Sequence, residues 1–146
     1  MHIRSRSMSK TRLVGWLLPA LALTCVGVLG AVRGGRTGGG IAWAADYQTG
    51  LNEAKRMHKP LLLSFHTPGC GWCEKLDAET FTDPRIAELS RRFVCVRLDS
   101  DVDEAVCKQY SVTEYPLTLL TRPDSAASSR ILGYLPADEL ALLLVK

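Results

Sequence analysis

Cys70 and Cys73 stand two residues apart where an unbroken apolar run gives way to a helical pattern, and this constrains the fold of the 146-residue chain more than any other feature. Upstream, Leu61 to Phe65 reads as a strand covered on both faces. Thr67-Pro68-Gly69 reads as a turn, and a helix is predicted from about Cys70 towards Thr80. Cysteines at i and i+3 of a first helical turn share one face, within reach of a sulfur–sulfur bond. Before the strand, Tyr47, Leu51, Ala54 and Met57 recur every three to four residues, which predicts a helix over Asp46 to His58 capped by Asp46. After the dithiol, Asp83-Pro84 opens a helix that turns Ile86 and Leu89 inward. Phe93 to Leu98 is rich in β-formers, and Asp101 to Tyr110 is helical with acidic residues in its first turn. Leu117 to Thr121 and Arg130 to Tyr134 are strands flanking a polar turn, and Pro136 to Val145 is a closing helix. Alternating βα units followed by a hairpin predict an α/β fold, a central mixed sheet sandwiched between helices in three layers.

The charge is unevenly placed. Six of the 18 Lys and Arg precede Asp46, whereas all 15 Asp and Glu lie at or after it, so the remainder carries a net charge of −3. The basic character belongs to a leader, and the folded part has no concentrated basic patch to favour nucleic acid. Arg4 to Arg12 precedes an uncharged apolar run at residues 13–32, the order that leaves the N-terminus in the cytoplasm and exports the rest of the chain. Two outcomes stay open. Ala42-Trp43-Ala44 matches a signal-peptidase site, which would start the mature chain at Ala45. The run is also long enough to cross a bilayer uncut, as an anchor. Either way the division is residues 1–44 as signal peptide or anchor with a Gly-rich linker, and residues 45–146 as one domain. The expected location is extracytoplasmic, most naturally a periplasm, where disulfides persist.

At the start of a helix, unpaired N–H groups and the positive dipole end favour a thiolate on Cys70, the species that attacks in thiol–disulfide exchange. Cys73, one turn in, is the shielded partner. A C-x-x-C pair is also found in zinc sites, haem attachments and static disulfides. Haem attachment requires His after the second cysteine, where Glu74 stands. Zinc requires two more ligands, and His66, Cys95 and Cys107 form no second close pair. No metal and no cofactor is expected.

The passage Lys59-Pro60-Leu61-Leu62-Leu63-Ser64-Phe65, then Cys70-Gly71-Trp72-Cys73-Glu74-Lys75-Leu76, resembles the thioredoxin superfamily. It is most similar to exported thioredoxin-like domains such as the C-terminal domain of thiol:disulfide interchange reductases. Thr80-Phe81-Thr82-Asp83-Pro84, Val96-Arg97-Leu98-Asp99, Tyr115-Pro116-Leu117-Thr118 and Leu132-Gly133-Tyr134 follow in the family's order. The resemblance implies a thiol–disulfide oxidoreductase acting on protein thiols or a partner's dithiol, with Cys70 attacking, Cys73 resolving and Gly71-Trp72 as the active-site dipeptide. It implies a cis peptide bond before Pro116, a substrate groove at Tyr115 and Pro116 that works by strand addition, and close approach at Gly133. If the chain reduces its substrates, a membrane electron-relay partner is also implied; the direction of electron flow stays open. Ser64 stands where thioredoxins carry a buried carboxylate, Arg97 where they often have Lys, and Gly69 where they have Trp. Serine is no base at neutral pH, so the proton route from Cys73 is not given by the family pattern.

A different class of function also fits the residues: a binding module that keeps the fold and the groove while its dithiol is inert. Cys95 and Cys107 read as two buried thiols or as a second disulfide. His66 reads as a surface or hydrogen-bonded histidine, Glu74 and Lys75 as solvated, and Leu140 to Val145 as core.

Overall fold

The computed structural model describes residues 40–125 and 128–146, so the expected signal peptide or anchor at residues 13–32 lies outside the described residues. The elements in order are α1 (Tyr47–Met57), β1 (Leu61–His66), α2 (Gly71–Lys75), a π-helical stretch (Leu76–Thr80), α3 (Pro84–Ser90), β2 (Val94–Asp99), α4 (Glu104–Gln109), β3 (Leu117–Thr121), β4 (Ser128–Leu132) and α5 (Ala137–Leu144). The sheet runs β2-β1-β3-β4. β1 pairs parallel with β2 and antiparallel with β3, and β3 pairs antiparallel with β4. This is the mixed α/β sheet that the pattern predicts.

Two cores form because side chains alternate across the strands. Leu61, Leu63, Phe65, Val94, Val96, Leu98, Leu117 and Leu119 pack on one face against Ala54 of α1 and Cys107 of α4. Leu62 and Cys95 pack on the other against Leu76, Phe81, Ile86 of α3, and Leu140 and Leu144 of α5. The helices thus form the two outer layers. α1 approaches the sheet closely at Gly50, where a Cβ would lie 2.4 Å from Val96 Cγ2. The N-caps follow the sequence: Asp46 accepts from Thr49 N–H, and Asp83 from Arg85 N–H with Pro84 opening α3.

Four local expectations are revised. The helix predicted from Cys70 to Thr80 changes to π geometry after Lys75. α4 starts at Glu104, because the acidic residues before it are engaged in a turn: Asp101 N–H donates to Asp99 Oδ1 (2.9 Å), and Asp99 N–H to Asp103 Oδ2 (2.9 Å). β4 runs over Ser128–Leu132 rather than Arg130 to Tyr134, since its ladder with β3 ends at the Leu117–Leu132 pair. Gly133, just beyond, is required by its φ of +84°, and a Cβ there would meet no atom within 4 Å, so close approach is not its reason. At the N-terminal side, Ile41 is buried, Trp43 bridges to Cys95 beside β2, and Ala44 N–H donates to Cys95 O at 2.8 Å. The packed unit therefore takes in residues just before Ala45. Among the described residues no helix is long and apolar enough to cross a membrane.

Candidate active site

β1 ends at His66, and Thr67 to Gly69 turns the chain back over the sheet, with Gly69 at φ +73°. Ser100 Oγ donates to Thr67 Oγ1 at 2.8 Å and ties this turn to the segment after β2. Cys70 is the N-cap of α2: its carbonyl accepts from Cys73 N–H (3.0 Å) and Glu74 N–H (3.1 Å), and its Sγ accepts from Cys73 N–H at 3.1 Å. Cys73 N–H is thus shared between the carbonyl and the sulfur of Cys70, a three-centre bond of the kind common at helix ends. Cys70 and Cys73 are joined by a disulfide with a Cα–Cα distance of 5.2 Å. They are not equivalent: Cys70 is half-buried, whereas Cys73 is only 5% exposed.

The sheet register delivers the other expected residues to the same end. Phe65 of β1 faces Leu117 of β3, so the close of β1 meets the cis Tyr115–Pro116 peptide just before β3. Leu132 faces Leu117, and Gly133 N–H donates to Pro116 O at 2.8 Å. Pro116 is buried and Tyr115 half-buried. Burial raises the Tyr115 hydroxyl, helped by the neighbouring Cys107 thiol. Gly71 is exposed with open space around it. Trp72 stands out at 60% exposure, its ring 6.0 Å from that of Tyr134, and the Lys75 ammonium lies over both rings at 5.4 and 4.6 Å. Glu74 is exposed, as expected of a solvated residue; Lys75, expected to be solvated too, is exposed but engaged by the two rings and by Glu79.

Beneath α2, Leu62, Ser64 and His66 share a face of β1, and Cys95, Arg97 and Asp99 share it on β2. The π-helical stretch contributes Asp77, half-buried and ion-paired with Arg97. Burial raises the Asp77 carboxyl, while the charges of Arg97 and His66 oppose that rise. Arg97 also stacks on Trp43, with its guanidinium carbon 4.9 Å from the ring. His66 Nε2 faces Asp99 Oδ2 at 3.5 Å. Reading the sequence missed Asp77 as part of this group; its position one turn after Cys73 was the available signal. Cys95 and Cys107 are free and buried in the two separate cores, so the sheet lies between them and the alternative of a second disulfide is excluded. Among the described residues no group of three or more His, Cys, Asp or Glu is placed to hold a metal ion.

A disulfide at a helix start and a cis X–Pro peptide at the same end of a mixed sheet with helices on both faces define a dithiol protein of the thioredoxin fold. The family model described as a thioredoxin-like domain matches residues 47–146, and the chain belongs to that family. A solution structure of a thioredoxin from Thermus thermophilus superposes with a TM-score of 0.64 at 23% identity, covering 73% of this chain and 85% of that one. The oxidised C-terminal domain of Neisseria meningitidis DsbD superposes with a TM-score of 0.55 at 24% identity, covering 66% and 87%. At those identities the likeness shows the fold. The probable protein disulfide-isomerase A6 of Medicago sativa is 29% identical over 83 residues, 57% of this chain and 23% of that protein. The chain spans from 9% to 38% of the length of the curated relatives it matches.

Proposed function

We propose that this chain is a thiol–disulfide oxidoreductase working outside the cytoplasm, with Cys70 as the attacking and Cys73 as the resolving sulfur. The observation that carries the reading is the asymmetry of the pair: Cys70 is accessible at the cap of α2 with an N–H aimed at its sulfur, and Cys73 is buried one turn inside. A hydrogen bond from the backbone stabilises the thiolate over the thiol. In the reducing direction the Cys70 thiolate attacks a substrate disulfide, a mixed disulfide forms and one substrate thiolate leaves. Cys73 then attacks Cys70 Sγ, closing the Cys70–Cys73 bond and releasing the second substrate thiolate; two electrons pass to the substrate. Oxidation is the same sequence reversed. Tyr115 and Pro116 border the groove where an extended protein substrate adds as a strand, and Gly71-Trp72 sets the surface between the sulfurs.

The compartment rests on the leader. Arg4 to Arg12 followed by the uncharged run at residues 13–32 supports export, residues 1–44 supplying a signal peptide or anchor with its linker and residues 45–146 the bulk of the working domain. A periplasmic reductase requires an electron donor, so a membrane electron-relay protein is its partner in that direction.

The test is trapping. Cys73→Ser accumulates a mixed disulfide with scrambled, disulfide-bonded protein substrates, and Cys70→Ser does not, read by non-reducing gels and mass spectrometry. Equal capture by both variants, or capture by neither, contradicts the assignment; capture by neither is the result expected of an inert binding module.

A further inference from the structure

Among the described residues, His66 Nδ1 is the only buried side-chain nitrogen or oxygen without a hydrogen-bond partner. Leaving such an atom unpaired is unfavourable, and a catalytic role is one of the reasons such an atom persists. Its location fits that explanation. His66 ends β1, directly before the turn that carries Cys70, on the sheet face covered by Leu76, and near enough to Asp77, one turn after Cys73, for its charge to act on that carboxyl. Its other nitrogen, Nε2, faces Asp99 Oδ2 at 3.5 Å. Asp99 is itself fixed, because its Oδ1 accepts from Asp101 N–H at 2.9 Å and its own N–H donates to Asp103 Oδ2 at 2.9 Å. With Nε2 turned to the Asp99 carboxylate, Nδ1 is the ring nitrogen left without a partner inside the fold and free to take up a proton.

We propose that His66 is the proton acceptor for Cys73 in the resolving step, oriented by Asp99. The inference rests on the oxidoreductase reading and fills the gap left by Ser64, which is buried at the neighbouring position of the same face and cannot act as a base. Cys73 must lose its proton before it can attack. The Cys73 S–H proton passes to His66 Nδ1, directly or through one water. The Cys73 thiolate then attacks Cys70 Sγ, the Cys70–substrate S–S bond breaks, and the departing substrate thiolate takes a proton from solvent as His66 gives its own back. The charged groups that face His66 are Asp99 and Arg97 from β2 and Asp77 from the π-helical stretch. Asp77 is engaged by Arg97, which leaves Asp99 as the carboxylate that sets the imidazole.

The experiment is acid-quenched single turnover of the reduced full chain with glutathione disulfide from pH 6 to 10, scoring the Cys70–glutathione adduct by mass spectrometry. Expected for His66→Gln is an unchanged rate of adduct formation. Its resolution slows about a hundredfold at pH 7 and climbs with pH until it meets the wild-type rate where Cys73 ionises unaided. Asp99→Asn, which keeps the size and a hydrogen-bond acceptor, slows resolution in the same direction by a smaller factor and carries the test if His66→Gln does not fold. Resolution by both variants with the wild-type rate and pH profile overturns the proposal while leaving the oxidoreductase reading intact. A wild-type chain that forms no adduct overturns both.

Discussion

Cys95 shows what burial does to a single ionisable group. Its thiol is 3% exposed on β2, and desolvation pushes its pKa up from the ordinary 9.0 to about 12, only partly offset by the Ser90 side chain and the charge of Lys59. The thiol stays neutral in the folded chain while the unfolded chain ionises near its ordinary value. The stabilisation this gives is complete below pH 9 and lost as pH rises towards 12. Denaturant midpoints should therefore fall across that interval, and Cys95→Ala, though less stable at neutral pH, should fall less steeply; equal slopes would contradict the assignment. Cys107 is also raised by burial, so both thiols stay outside the exchange chemistry proposed for Cys70. At this scale the sequence was legible where spacing constrains a pair, as in the Cys70–Cys73 disulfide, and the cis bond before Pro116 follows what the resemblance implies. It was opaque where a role depends on tertiary neighbours: the place of Asp77 one turn after Cys73 hints at the site, but only the fold brings it to one face with Arg97, His66 and Asp99.

Elements were legible wherever periodicity and caps agree, as in α1 with Asp46 and α3 with Asp83-Pro84. They shifted where a competing local contact wins. The Asp99–Asp103 turn withholds the first residues expected of α4, and the π-helical stretch replaces the end of the predicted α-helix. The segment before α1 is the largest departure. Ala42-Trp43-Ala44 carries the pattern of a cleavage site, yet Ile41 is 5% exposed and the Trp43 ring meets that of Phe81 at 5.2 Å, edge to face. Burying an Ile side chain contributes about 1.5–3 kcal/mol. A chain beginning at Ala45 should accordingly unfold about 2 kcal/mol more easily than one beginning at Gly40, measured by urea denaturation of the two. Equal stability would show that the segment adds nothing to the domain.

For the whole molecule, the division of labour follows from the sheet. The closing end of β1, the opening end of β3 and the end of β4 meet at one pole, so the dithiol, the cis peptide and Gly133 come from distant parts of the chain without any of them being long-range in space. The sheet keeps Cys95 and Cys107 apart and both are buried, so among the described cysteines Cys70 is the one left accessible. That selectivity depends on Cys70 being the more acidic sulfur of the reduced pair, held as thiolate by the start of α2 and by Cys73 N–H. The most direct measurement is the rate of iodoacetamide alkylation of the reduced full chain against pH, with the modified cysteine identified by mass spectrometry. Among Cys70, Cys73, Cys95 and Cys107 the account predicts modification at Cys70 alone, with a midpoint clearly below the free-thiol value of about 8.5. A midpoint at the free-thiol value, or Cys73 reacting as fast as Cys70, would contradict it.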